Sequence, residues 1–260
     1  MKNSIENLKV LMKRKSIRAY EEKEISQEVK DAILNATLRA PTAGNMMMYS
    51  IIEVTDENLK NQLVKTCDNQ PMIGKAPYLL LFLADFQRWM DYLKVSGVEK
   101  FNEENNIEMY HPKEGDLMLA INDALIAAQT AVTAAEILGV GSCYIGDIME
   151  NFETHQKMFD LPKYTFPITL ICFGYPTEQQ KNRVQPHRYP KEMVVFQNNY
   201  RHIEKDEFKD MEIERHKIFK PKFLPGCDNE GIHMYKRKIT SDFMKEMNRS
   251  VKAAIDSWTK

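Results

Sequence analysis

Long apolar runs are missing from this 260-residue chain. No stretch approaches the roughly 20 uninterrupted apolar residues of a bilayer span, and the opening MKNSIENLKV lacks the apolar core of a secretion signal. The expectation is a cytoplasmic protein without a membrane partner. Charge imbalance is missing too: 36 basic residues face 37 acidic ones, a formal net charge of -1. No bulk field therefore draws the chain to nucleic acid or anionic lipid, and any anion it binds must be held locally. Cysteine is scarce and scattered. Cys67, Cys143, Cys172 and Cys227 show no CxxC spacing, which argues against a disulfide framework and against a zinc or iron–sulfur ligand set. Histidine gives no better metal signal, because His111 sits in a polar loop and His216 and His233 lack close ligand spacing.

The usual phosphate-binding loops are absent as well. GVGSCYIG begins like a dinucleotide fingerprint, but Tyr144 stands where the third glycine belongs, and the segment runs from a helix into a strand, the reverse of the required order. Gly141 to Gly146 has Walker-loop spacing, yet Asp147 replaces the lysine that would reach the phosphates. No HExxH or GxSxG segment occurs.

What the chain does contain is a regular alternation of helical and strand patterns. Ile5, Leu8, Leu11 and Met12 form one helical stripe, and Ser26 opens a second helix through Val29, Ile33, Ala36 and Thr37 that ends before Pro41. YSIIEVTD (49–56) and YLLLFLAD (78–85) read as buried strands joined by a helix near 57–66. The longest helical pattern runs from Asp116, as a cap, to a stop at Gly139; its many alanines leave so little polar surface that neighbours or a second subunit must cover it. SCYIGDI, NFETHQKMFDLP and FPITLICFGYP then predict strand, helix and strand. From Thr177 the texture becomes that of a surface loop, and a mixed-charge tail ends in a helix with Phe243, Met247, Val251, Ile255 and Trp258 on one face.

Five separated pieces stand out by their order: RKSIR (14–18), APTAGN (40–45), NQP (69–71), YIGD (144–147) and the loop carrying Arg188. The first gathers Arg14, Lys15 and Arg18 beside Lys13 where a helix stops, and guanidinium groups pair with phosphate oxygens at fixed geometry. A solvated helix end complementing its own dipole is the plainer reading of that piece alone. Taken together over residues 5–200, the pieces resemble the nitroreductase family of FMN flavoproteins, in its oxygen-insensitive nitroreductase and flavin reductase branch.

That resemblance implies an α+β fold with a mixed, mainly antiparallel sheet flanked by helices, and an intertwined homodimer with two FMN sites at the subunit interface, each using residues from both chains. It assigns the phosphate and ribityl chain to Arg14, Lys15, Ser16 and Arg18, completed by Arg188. Thr42, Ala43, Gly44 and Asn45 would approach the flavin, Gln70 would bond the ribityl chain or ring edge, and Tyr144, Ile145, Gly146 and Asp147 would run beside the reactive N5. No dedicated acid or base is implied, since FMN carries the hydride chemistry.

Three departures matter. Pro186 occupies the place of a lysine often paired with the loop arginine, so Lys181 or Arg183 is a candidate substitute. Met46, Met47 and Met48 replace polar or aromatic side chains, and Asp147 replaces a second glycine. The implied activity is ping-pong electron transfer from NAD(P)H to small-molecule acceptors such as nitroaromatics, quinones or flavins. The cations between Lys181 and Arg201, with Arg215 and Lys217, are candidates for the extra phosphate of NADPH. The rivals are a non-catalytic flavin carrier or redox sensor, and a dehalogenase or enone reductase on the same scaffold. The expected organisation is a domain over 1–200 and an extension over 201–260 that packs on the core or the partner.

Overall fold

The computed structural model describes residues 8–218 and 222–260. They form two compact units, one comprising the chain up to Arg183 together with Glu246–Lys260, the other Val184–Lys245. The 200/201 cut expected from sequence texture runs through the second unit. Ile5 lies outside the described residues.

The first unit is built on four strands, β1 (Tyr49–Glu53), β2 (Tyr78–Asp85), β3 (Gly141–Ile145) and β4 (Thr165–Gly174), in the spatial order β1-β2-β4-β3. Every pairing is antiparallel, and a single parallel bridge joins Ser16 to Ser142 at the outer edge of β3. β2 and β4 are buried along their whole length. Side chains of a strand alternate between faces; accordingly Leu80, Phe82 and Ala84 enter one apolar cluster and Leu79, Leu81 and Leu83 the other. Both faces are covered, which is why these strands read as continuous apolar runs.

One face is covered by the helix Glu114–Ile137, whose inner stripe of Leu117, Ala120, Ala124, Ala127, Ala128, Ala131 and Ala135 is buried. Alanine there lets the helix axis approach the sheet closely. Asp116 accepts the Lys113 N–H at 2.9 Å, so the helix is capped at Lys113, three residues before the cap its aspartate suggests. Gly139, at φ +75°, ends it as expected. Among the described residues this helix is long and apolar enough to cross a bilayer by length and composition, a property missed by looking only for uninterrupted runs. Its buried stripe makes it the core helix of this unit.

The opposite face is covered by Glu57–Thr66 and Pro71–Lys75, which supply Leu63, Met72 and Ile73. The helix Gln27–Thr37 is capped by the Ser26 hydroxyl, which accepts the Val29 N–H. The C-terminal helix Asp242–Thr259 returns to this unit, where Trp258 is 1% exposed and meets Tyr164 edge-on at 5.8 Å. Ser250 fixes its register by accepting the Phe152 N–H at 2.8 Å and donating to the Met149 carbonyl at 2.7 Å. The helices Gln87–Val95 and Val98–Asn105 were not anticipated from the sequence.

The second unit carries the helix Lys205–Ile218 and the shorter Glu230–Met234. Arg215 and Glu230 link them at 3.0 Å.

Candidate functional site

The RKSIR segment is laid across the open ends of β3 and β4. The Ile17 N–H donates to the Ser142 carbonyl at 2.8 Å, and the Glu21 N–H to the Tyr175 carbonyl at 2.8 Å. This approach requires glycine beneath it. Gly141 and Gly174 are register partners, and a Cβ on Gly141 would stand 2.5 Å from Ile17 Cγ1, while one on Gly174 would overlap the Tyr20 ring.

A second layer of contacts closes the segment from outside. Lys15 Nζ donates to the carbonyls of Lys181 (2.6 Å) and Arg183 (2.5 Å), Arg183 Nη2 donates to the Ser16 carbonyl (2.5 Å), and the Arg18 N–H donates to Gln180 Oε1 (3.2 Å). Two of the three Lys15 donors are thus used on backbone. Arg183 keeps a buried Nε without a protein acceptor. Burial raises the Cys143 thiol pKa, while the charges of Arg18, Arg14 and Arg183 and a Ser16 hydrogen bond pull it back. A guanidinium bonded to the Ser16 carbonyl with its Nε still unused suits an oxyanion beside this segment.

The YIGD piece divides its side chains between three directions. Tyr144 turns to the long helix and donates to Gln129 Oε1 at 3.3 Å, and burial, opposed by Arg14, pushes its phenol up to about 12. Ile145 is core, at 1% exposure. A Cβ on Gly146 would meet nothing within 4 Å, and Asp147 Oδ2 accepts from Gln70 Nε2 at 2.9 Å. The structure therefore joins NQP to YIGD directly.

Beside them lies a cavity of about 980 Å³ lined by Arg18 and Tyr20 on one side and Gln70, Met72 and Lys75 on the other, with Glu21, Glu22 and Glu24 also contributing. That volume is at the upper end of small-molecule sites.

Thr42, Ala43, Gly44 and Asn45 lie elsewhere. Gly44 and Asn45 adopt φ of 56° and 58° in a tight turn. The turn is pinned by Asp123, 2% exposed, whose Oδ1 accepts the Ala43 N–H at 2.9 Å and whose Oδ2 accepts the Met48 N–H at 3.1 Å. Arg88 and Trp89 add bonds to the Met47 and Met46 carbonyls at 3.1 and 2.8 Å. Arg14 marks the other end of the long helix, because its charge acts on Glu136. At 1.5 Å per residue, Asp123 and Glu136 are about 20 Å apart along the helix axis, and no hydrogen bond among the described residues joins this turn to the RKSIR segment. Met48 is core, whereas Met46 and Met47 are half-buried.

Arg188 belongs to the Val184–Lys245 unit, exposed, with Nη1 directed to the Pro186 and His187 carbonyls. Of the cations expected to meet an extra phosphate, three are engaged there in ion pairs, Arg201 with Glu207 at 2.7 Å, Arg215 with Glu230, and Lys217 with Glu214. Glu212, His216 and Glu230 also gather ligand-type atoms within 4.8 Å of one another; Arg215 and the Glu230 N–H already occupy the two carboxylates.

Asp123 and His155 were missed in the sequence. His155, fully buried, places Nδ1 2.9 Å from the Ile148 carbonyl and Nε2 2.8 Å from Thr66 Oγ1, and burial lowers its pKa. A carbonyl only accepts, so Nδ1 carries the proton and braces the turn after β3. Asp123 was legible only as the single acid on the inner face of an apolar helix.

A buried antiparallel sheet packed on one long helix, with the RKSIR segment bound to its edge strand, defines an α+β protein. The chain belongs to the nitroreductase family, whose sequence profile matches residues 11–175. It is similar to an FMN reductase [NAD(P)H] of Bacillus subtilis, 33% identical over 195 residues that cover 75% of this chain and 74% of that protein. It is similar also to an NADPH-dependent oxidoreductase of Staphylococcus aureus, 30% identical over 197 residues, covering 76% and 74%. Among solved structures, NfrA2 of B. megaterium superposes with a TM-score of 0.75 at 26% identity, covering 94% of this chain and 97% of that one.

Proposed function

We propose that the protein is a cytoplasmic, FMN-dependent oxidoreductase that passes electrons from NAD(P)H to small-molecule acceptors such as nitroaromatics, quinones or flavins. The observation that carries this reading is Arg183 closing over the Ser16 carbonyl with its Nε left unused, in a segment whose Arg18 lines a cavity together with Gln70. The relatives named above are reductases of FMN or users of NADPH. Arg14, Ser16, Arg18 and Arg183 would hold the phosphate. Gln70 would meet the ribityl chain or ring edge, and the Tyr144–Asp147 backbone would lie along the ring, where Gly146 leaves open space. Bound FMN supplies the two-electron carrier between nicotinamide and acceptor. The protein's own part is to bind, to orient and to exclude water.

The site is proposed to be completed by a second copy of the chain. The outer face of Glu114–Ile137 exposes Met118, Leu119, Leu125, Ile126 and Ile137, a stripe suited to an isologous interface. A two-fold axis crossing this helix near Gln129 would carry the Thr42–Asn45 turn of one copy over the Arg14 end of the other, closing the gap of about 20 Å along the helix. Purified protein is expected to be yellow, dimeric in sedimentation, and to give parallel double-reciprocal lines when NAD(P)H and a quinone are varied together. Intersecting lines would rule out alternating half-reactions, and a colourless protein that does not bind added FMN would rule out the cofactor.

A further inference from the structure

Gln70 is aimed by unusual backbone. Asp68 and Asn69, the two residues before it, both adopt left-handed conformations, φ 57° and 52°, a local cost that persists only where the surroundings hold it. The turn is braced twice from the β3 side, by Asn151 Nδ2 donating to the Thr66 carbonyl at 3.0 Å and by the His155 ring between Ile148 and Thr66. Gln70 then lies with Nε2 3.1 Å from the Cys67 carbonyl and 2.9 Å from Asp147 Oδ2. Both partners only accept, so the chemistry fixes which end of the amide faces them: the two amide hydrogens are used, which leaves the carbonyl Oε1 as the open polar atom of a residue that lines the cavity.

We propose that Asp147 is a positioning residue that locks the Gln70 amide in one orientation, so that the cavity offers a hydrogen-bond acceptor and selects a ligand group that donates, a hydroxyl or a ring N–H. The inference rests on the flavin reading above, in which the donor is a ribityl hydroxyl or the N–H of the ring edge. A glycine at 147 would leave the amide free to flip and to present either end. Asp147 therefore narrows what a site of this shape accepts.

The test is a double-mutant cycle on FMN affinity, read by flavin fluorescence quenching with the full-length protein. D147A and Q70L are each expected to weaken binding roughly tenfold, whereas D147A in the Q70L background adds no further loss, because the lock acts only through Gln70. D147N keeps one acceptor and is expected to restore most of the affinity. Additive losses, or equal losses in D147N and D147A, would overturn the lock. A second readout does not need flavin: the Gln70 side-chain amide protons, followed by ¹⁵N NMR, exchange slowly in the parent protein and fast in D147A. Unchanged exchange in D147A overturns the inference even if FMN binds. Failure of the parent protein to bind FMN, with Gln70 protected, overturns the flavin reading alone.

Discussion

Replacing Asp123 by asparagine tests how the Thr42–Asn45 turn is held. The carboxylate is 2% exposed and takes one backbone N–H on each oxygen, Ala43 at 2.9 Å and Met48 at 3.1 Å. Asparagine fills the same volume with a single acceptor. Its NH2 group must then face one of the two N–H donors, leaving a donor in the interior without a partner and the remaining bond without its charge. An orphaned buried N–H costs about 1–3 kcal/mol, and the loss of charge assistance adds about 1 kcal/mol, so D123N is expected to destabilise the fold by about 2–4 kcal/mol. For a chain of this size that lowers the melting temperature by roughly 4–16 °C. Calorimetry measures the drop, and hydrogen exchange locates it, with the Ala43 and Met48 amides losing protection while the amides of β2 and β4 are least affected. An unchanged melting temperature, with both amides still protected, would refute the claim that this carboxylate holds the turn.

Two further outcomes follow from buried groups. Glu136 is half-buried with Oε1 lacking a hydrogen-bond partner; burial, opposed by Arg14, raises its carboxyl from an ordinary 4.5 to about 7. Between those values the folded chain holds a proton that the unfolded chain has lost, so Glu136 costs increasing stability as pH rises through that window and a constant amount above it. Urea unfolding should show E136Q gaining on the parent from pH 4.5 to 7 and then running parallel to it; curves parallel throughout would refute the raised value. The thiols divide three to one. Cys67, Cys143 and Cys172 are buried and Cys227 is not; burial pushes the Cys67 thiol up to about 12 and raises the other two as well. One thiol per chain should react quickly with a disulfide reagent in the native protein and four in denaturant, and a second fast thiol would show that the sheet opens.

The elements whose residues carry their own signal were legible in the sequence. YLLLFLAD predicts a buried strand and Tyr78–Asp85 is one; Ser26 announces a helix and caps it. The turns of Gly44 and Gly139 were marked by glycine. What escaped was decided by partners far along the chain. Asp123 reads as a polar interruption of an alanine-rich helix until the N–H groups of Ala43 and Met48 are placed against it. Likewise Asp147 reads as a missing glycine until Gln70, 77 positions away, is found bonded to it. Arg183 looked like one cation among several in a loop, and only the approach of Ser16 distinguishes it from Lys181, which pairs with Glu21 and Glu178.

The same distinction explains why the site pieces are short and dispersed. Arg14, Ser16 and Arg18 depend on backbone bonds to β3, and through them on Gly141 and Gly174, where any Cβ would push the segment away. The 42–48 turn depends instead on a carboxylate of the long helix, about 20 Å along its axis. Each piece is held rigidly by its own support, so neither needs the other to fold. On the proposed two-chain site, a ligand spanning both would draw them from two copies, and subunit association, not folding of one chain, would be the step that assembles the site. Dilution that separates the subunits should release FMN while leaving the sheet folded, which fluorescence and circular dichroism on one sample would resolve. Flavin retained on a monomer would show instead that the Arg14 cluster and the cavity suffice alone.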